Sequence, residues 1–436
     1  MRTGSLVAAI RRCLVIAAAS LLTDLVAGCV ATPRLDAPAA LLDSAVPVGF
    51  PEEIRTASID WRELPADASG ILNRARHAST DGRIHILALS GGGAGGAFGA
   101  GALVGLTERA ARPQFEIVTG VSTGALLAPF AFLGPSWNVR LTEAFNGTHS
   151  ARILTRRSVD LLFRPSVYRG GGLFDLVDRF VTPEMIEAVA REAAEGRLLL
   201  VATTDLDKEE PVIWNLGAIA AQGGPAARRL FRDVVLASAS IPGILPPVVI
   251  RVHRDGRDFD ELHVDGANTV PFFILPDSLL LAELPHELLE GGEIYVLING
   301  QMTAQPQTTP VRTVPIVARS LSAGMRHLAR SELALTAEFA QRYRMRFRFA
   351  TLPIDHAPVR VLDLGAANMG ALYAYGRDCA ARGLLWVSVD QAEASGDRAL
   401  AFAAADPTAR AGGRSASCPL DETVADRSGP RASSGY

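Results

Sequence analysis

The chain has 436 residues, of which 48% are hydrophobic and 20% charged, with a formal net charge of −3. This is globular composition, with ample apolar side chains for a large buried core. The slight net acidity excludes general electrostatic capture of nucleic acid, so no nucleic-acid partner is expected. Among the 43 Lys and Arg residues Lys208 is the one lysine, a skew that reads as genomic bias rather than as a charged docking surface.

At the N-terminus, Arg2, Arg11 and Arg12 bracket or precede an apolar run from Cys13 to Leu22. A basic start, a short apolar stretch and small residues after it describe a secretory signal, and the run is too short to span a bilayer. Val26-Ala27-Gly28-Cys29 resembles the bacterial lipobox, in which the chain is cut before the cysteine and the cysteine then carries lipid. That resemblance implies a signal peptide over 1–28, lipidation at Cys29 and a membrane-anchored protein of the cell envelope. The plainer reading is an ordinary signal with a stray cysteine, and Asp24 so near the apolar run favours it. Val30, in place of Asp, leans toward the outer membrane or the periplasmic face. Residues 29–80 are expected to form a tether and lead-in. Cys379 and Cys418 are left free to pair or to remain thiols, and no CxxC spacing suggests a structural metal.

From residue 81 the pattern changes. Ile84–Leu89 is apolar except for His85 and ends in glycines, as a buried parallel strand does. A helix is expected over Gly96–Arg112, a strand over Phe115–Thr119 and a helix over Ala125–Leu133. A strand at Leu198–Thr203 and a helix at Arg229–Ser238 follow. Val248–Val252, Ile294–Ile298 and Met345–Phe349 are further strands, and Pro315–Tyr343 is a long helix. This alternation indicates an α/β domain with a mostly parallel central sheet over residues 81–404. Residues 405–436 turn to Ala, Gly, Ser, Arg and Pro and are expected to be disordered.

Three motifs carry chemistry. The first is Gly91-Gly92-Gly93-Ala94-Gly95-Gly96, after a strand and opening a helix. Glycines let a ligand approach the backbone, and a helix N-terminus offers unpaired N–H groups, so the segment can cradle a phosphate or a developing oxyanion. Glu116, 20 residues after Gly96, also permits a dinucleotide-binding reading. The second is Gly120-Val121-Ser122-Thr123-Gly124 between strand and helix, the context of a nucleophile elbow. The third is Asp265-Gly266-Ala267, which alone reads as an ordinary Asp-Gly turn. A serine needs a base. None of the eight histidines (77, 85, 149, 253, 263, 286, 327 and 356) sits in a turn that marks it as one, although His263 lies two residues before Asp265.

The order of these motifs resembles the patatin-like phospholipase family, whose members carry a glycine-rich oxyanion segment, a GxSxG elbow and a DG[AG] motif. Ala237-Ser238-Ala239-Ser240-Ile241-Pro242-Gly243-Ile244-Leu245-Pro246-Pro247 resembles the family's segment ahead of the catalytic Asp. The resemblance spans roughly residues 84 to 300. It implies a three-layer α/β/α fold and a serine lipid acyl hydrolase working through a Ser–Asp dyad without cofactor or metal. Ser122 would be nucleophile and Asp265 its base. Gly91, Gly92 and Gly93 would form the oxyanion hole, and Gly96, Gly120, Gly124, Gly266 and Ala267 would shape the motifs. Two departures stand out: Gly95 where many members have Arg, and Ser90 where Asp is frequent. The expected substrate is a phospholipid or other lipid ester, with the apolar segment Val270–Pro276 either lining an acyl pocket or forming core. The rival schemes are an α/β-hydrolase esterase whose Ser–His–Asp triad draws on His327 or His356, and a dinucleotide-binding protein using the glycines and Glu116.

Overall fold

The computed structural model describes residues 34–42, 45–57, 68–149, 153–156, 166–280, 282–388, 391 and 417–420. The expected signal peptide and Cys29 lie outside the described residues. Among the described residues no helix is long and apolar enough to cross a membrane.

Ten strands make one sheet: β1 Val46–Pro47, β2 Arg55–Ala57, β3 His85–Leu89, β4 Ile117–Val121, β5 Leu198–Asp205, β6 Glu210–Asn215, β7 Val248–Arg254, β8 Arg257–Asp265, β9 Glu293–Ile298 and β10 Arg346–Thr351. Their order is β1-β7-β8-β5-β4-β3-β9-β10, with β6 also paired to β5 and β2 to β6. The block β10-β9-β3-β4-β5 is parallel. The strands beyond β5 are antiparallel.

Side-chain alternation along β3 shows why the sheet is covered on both faces. Leu87 and Leu89 enter one core with helices α1 (Gly96–Glu108), α2 (Thr123–Leu133) and α3 (Gly224–Ser238). Ile86 and Ala88 enter a second core with β9 and the C-terminal half of α4 (Thr313–Arg342). Burial on both sides accounts for the continuous apolar runs of the parallel strands. The α/β/α layering expected from the motifs is the layering found.

Several boundaries moved for local reasons. Helix α1 ends at Glu108 rather than 112, because Ala110 takes a left-handed φ of 55°. Helix α3 starts at Gly224, with Pro225 in its first turn, where a missing N–H costs nothing. The reading took Val248–Val252 as a strand but did not join it to β8 as a hairpin, although the Asp255-Gly256 turn between them, with φ of 50° and 74°, is the standard signal for one. It had also omitted helix α5 (Ala366–Ala381), which packs against α1.

The tail expectation over 405–436 needs correction at 417–420. Cys418 forms a disulfide with Cys379 of α5, with Cα atoms 5.5 Å apart, and Leu420 is buried against the second core. Val270–Pro276 resolves as core: Phe272, Ile274 and Leu275 join the second core, and Phe273 packs with Val121, Ala202 and Ala267.

Candidate active site

Strand β5 is longer than β4, and this difference builds the site. Val121, the last residue of β4, pairs with Ala202 of β5. The next residue of β5, Thr203, pairs with Asp265, the last residue of β8. One strand therefore approaches from each direction along the same edge. Ser122 turns off the end of one and Asp265 ends the other.

Ser122 has φ 55° and ψ −123°, a conformation that costs a non-glycine residue of order 1–3 kcal/mol. The turn is tight on both sides. A Cβ on Gly120 would lie 2.5 Å from the Gly124 carbonyl oxygen, and one on Gly124 would lie 2.1 Å from that of Leu89. Helix α2 starts at Thr123, and the Ser122 carbonyl accepts from the Ala125 N–H at 2.9 Å. The strained turn is pinned by a residue the sequence reading had quoted without a role. Ser238 accepts the Ser122 N–H at 2.9 Å and donates to the Ala202 carbonyl at 2.6 Å.

Ser122 Oγ donates to Asp265 Oδ2 at 2.6 Å. Asp265 Oδ1 accepts from the Ala267 N–H at 2.9 Å, so both carboxylate oxygens are fixed. The Asp265 backbone is held by its N–H to the Ser240 carbonyl at 3.0 Å and by donors from Thr204 and Asn268 to its own carbonyl. Gly266 is needed because a Cβ there would meet the Ala202 carbonyl at 2.3 Å. Both members of the pair are buried, Ser122 at 5% and Asp265 at 3% exposure. Burial pushes the Asp265 carboxyl up to about 7, and the bonds from Ser122 and Ala267 offset only part of that shift.

The glycine segment lies against this pair. A Cβ on Gly91 would sit 3.1 Å from Ser122 Cβ. Gly92 and Gly95 run under the Asn299 carbonyl, at 1.9 and 2.0 Å from where their Cβ atoms would be. The same crowding explains why Gly95 carries no arginine: no side chain fits there. Asn299, which the sequence reading missed, donates through Nδ2 to the Ser90 carbonyl at 2.8 Å, and its N–H goes to Ser90 Oγ at 2.9 Å. Ser90 thus anchors the loop in the position where Asp is frequent. The three expected oxyanion donors are not equivalent. The Gly91 N–H points to the Pro271 carbonyl at 3.3 Å, because the loop leaves β3 beside that segment, so Gly91 is corrected from free donor to loop anchor. No acceptor among the described residues takes the N–H of Gly92 or Gly93. Gly96 lets α1 begin against Thr123, whose Cγ2 would be 2.6 Å from a Cβ there.

The rival residues are elsewhere. His263 is buried with its two nitrogens facing Thr203 Oγ1 at 3.0 Å and Glu261 Oε2 at 3.2 Å. His356 Nδ1 faces the Ala357 carbonyl and His327 is exposed on α4, so the histidine triad is not assembled. Glu116 precedes β4, at the opposite end from Ser122, and accepts the His85 N–H at 2.6 Å. It spans two strands rather than facing the glycines, which removes the dinucleotide reading. Asp205, Glu261 and His263 converge closely enough to suggest a cation site. Arg55 and Lys208 already supply the positive charge there, at 2.5 and 3.3 Å from Glu261, and the Glu261 carboxyl is held well below its usual range.

No curated protein sequence matches the chain significantly. Among solved structures, VipD from Legionella pneumophila aligns at 12% identity over 69% of this chain and 67% of its own, with a TM-score of 0.29, a likeness too loose to carry an argument. The family model described as patatin-like phospholipase matches residues 87–276, a span that holds the glycine segment, the Ser122 turn and Asp265. Over residues 87–276 the chain is therefore similar to patatin-like phospholipases, a likeness that takes in every candidate site residue from Gly91 to Ala267.

Proposed function

We propose that this protein hydrolyses lipid carboxylic esters, phospholipid or lysophospholipid among them, through a Ser122–Asp265 dyad. The observation that carries the proposal is the 2.6 Å hydrogen bond from Ser122 Oγ to Asp265 Oδ2 beside a loop with two uncommitted N–H groups. Asp265 takes the hydroxyl proton as Ser122 attacks the ester carbonyl. The N–H groups of Gly92 and Gly93 face the developing oxyanion, and the proton passes to the departing alcohol. Asp265 then takes a proton from a water that attacks the acyl-serine carbonyl, and returns it to Ser122 Oγ as the ester bond breaks and the fatty acid leaves. A carboxyl raised to about 7 is a stronger base than a solvated aspartate, which suits this work near neutral pH.

An apolar cavity of about 350 Å³ supports an acyl substrate. Leu173, Phe174, Leu236, Leu245 and Pro246 line it beside Ser240, whose carbonyl holds Asp265. We also propose lipidation at Cys29 and an envelope location. The Cys379–Cys418 disulfide supports export, since such bonds persist in oxidising compartments. The deciding experiment is labelling with a fluorophosphonate probe followed by peptide mapping. Modification of Ser122, lost in Ser122→Ala, is the expected result. An unlabelled but folded protein would overturn the proposal.

A further inference from the structure

We propose that the N-terminal half of α4 is a docking element for an anionic phospholipid surface, holding the catalytic rim of the sheet against the bilayer. It rests on the lipid-ester reading of the site and adds to it the means by which the enzyme reaches an aggregated substrate.

The helix is too long for the strands it connects. Its 30 residues extend about 45 Å, whereas the six residues of β9 cover about 20 Å. Arg330 Nη2 donates to the Met302 carbonyl at 2.7 Å, and Met302 lies four residues past the end of β9. The turns of α4 before Arg330, roughly 25 Å of helix, therefore extend beyond the rim where β9 ends. That rim also carries Ser122, because β9, β3 and β4 are parallel and Ser122, Gly91 and Asn299 all follow their C-terminal ends. Past Arg330 one side of the helix packs on the second core through Leu333, Phe339 and Ala340, while Leu335, 58% exposed, continues the outward apolar line.

The projecting half is not built for water. Val317, Leu321, Met325 and Leu328 are 39 to 62% exposed. At 100° per residue they fall within an arc of about 80°. Arg319, Arg326 and Arg330 fall within about 40° on another side, some 160° from the apolar line. No Asp or Glu occurs between Glu293 and Glu332. Among the described residues no carboxylate pairs with these three arginines, and Arg326 is depressed by burial and then by repulsion from Arg319 and Arg330. An apolar stripe, arginines bonded to backbone carbonyls or solvent rather than to carboxylates, and no acid are the composition of a helix lying in a bilayer interface. Anionic headgroups supply the missing counter-charge.

The test uses the full chain carrying Cys29→Ser, so that no acyl anchor contributes. Binding is read by co-sedimentation with vesicles of phosphatidylcholine alone and of equimolar phosphatidylcholine and phosphatidylglycerol. The inference expects binding to the anionic vesicles, weakened roughly tenfold or more by Leu321→Asp/Leu328→Asp and by Arg319→Glu/Arg326→Glu. It also expects unchanged hydrolysis of a soluble short-chain ester in both variants, which doubles as the check on folding. Binding unaffected by either variant overturns it. So does an oligomer of the parent chain that dissociates in Leu321→Asp/Leu328→Asp, which would make the stripe a contact between copies. Loss of soluble-ester hydrolysis in the parent itself counts against the proposed chemistry and leaves the binding result readable.

Discussion

Val121 and Asp265 pair with consecutive residues of one strand, Ala202 and Thr203, although they belong to strands running in opposite directions. The chemistry of the site depends on this end-to-end meeting, because it brings a serine and a carboxylate 143 positions apart within 2.6 Å. Ser122→Ala should lower kcat on a short-chain ester by about a thousandfold or more. Asp265→Asn should do the same, while far-ultraviolet circular dichroism stays unchanged. Activity retained by either purified variant would remove that residue from the mechanism.

The pH profile should have an ascending limb near pH 7, since the proposed mechanism requires Asp265 ionised and burial raises it to about 7. The stability linkage runs the other way. A carboxyl at 3.8 when unfolded and about 7 when folded contributes stability that is fully present below pH 3.8 and is lost as the pH rises through about 7. Thermal melts across pH 4 to 8 should show this decline in the parent, and Asp265→Asn should lack it.

Ser238 is expected to matter without touching substrate. Ser238→Ala leaves the Ser122 N–H and the Ala202 carbonyl without their shared partner, at a cost of about 1–3 kcal/mol. Because the Ser122 turn is strained, kcat should fall more than KM rises. Steady-state kinetics beside a denaturant melt will separate the two effects, and an unaltered kcat would assign Ser238 to stability alone.

Gly92→Ala should abolish activity, because its Cβ would overlap the Asn299 carbonyl oxygen at 1.9 Å and force the loop away from Ser122. Probe labelling of Ser122 would report whether the elbow itself survives. Normal turnover in this variant would show that the loop can reshape without loss.

Cys379→Ser should cost about 2–4 kcal/mol through release of a 39-residue loop. The melting temperature of the parent should fall with reductant and that of the variant should not.

Much of the site was legible because each motif reports local backbone chemistry. Glycines at 120 and 124 and a serine between strand and helix describe a turn that few other sequences satisfy. What the sequence concealed was non-local. Ser238 and Asn299 act through hydrogen bonds to segments 116 and 209 positions away, and neither residue type marks itself. Gly91 looked like its neighbours and was distinguished only by the carbonyl of Pro271. Helix α5 escaped because glycines at 101 and 376 let it press directly onto α1, with would-be Cβ atoms about 2 Å from the facing carbonyls. The buried line Met369, Leu372, Tyr373, Gly376, Cys379 and Ala380 does follow helical spacing, but glycine, alanine and cysteine make up half of it, so its apolar signal is weak. The rival dinucleotide reading fails because Glu116 had the right spacing at the wrong end of its strand.

Lys208, the one lysine of the chain, has a side chain only 5% exposed, with its ammonium 3.3 Å from Asp205 and Glu261. The folded molecule therefore offers no accessible ε-amine to succinimidyl esters or aldehyde fixatives. Immobilisation on an activated support has to proceed through other chemistry, and dye coupling at lysine will yield almost nothing. Conversely, acylation of Lys208 during a denaturation series counts the molecules that have opened, which makes this residue a built-in reporter of unfolding.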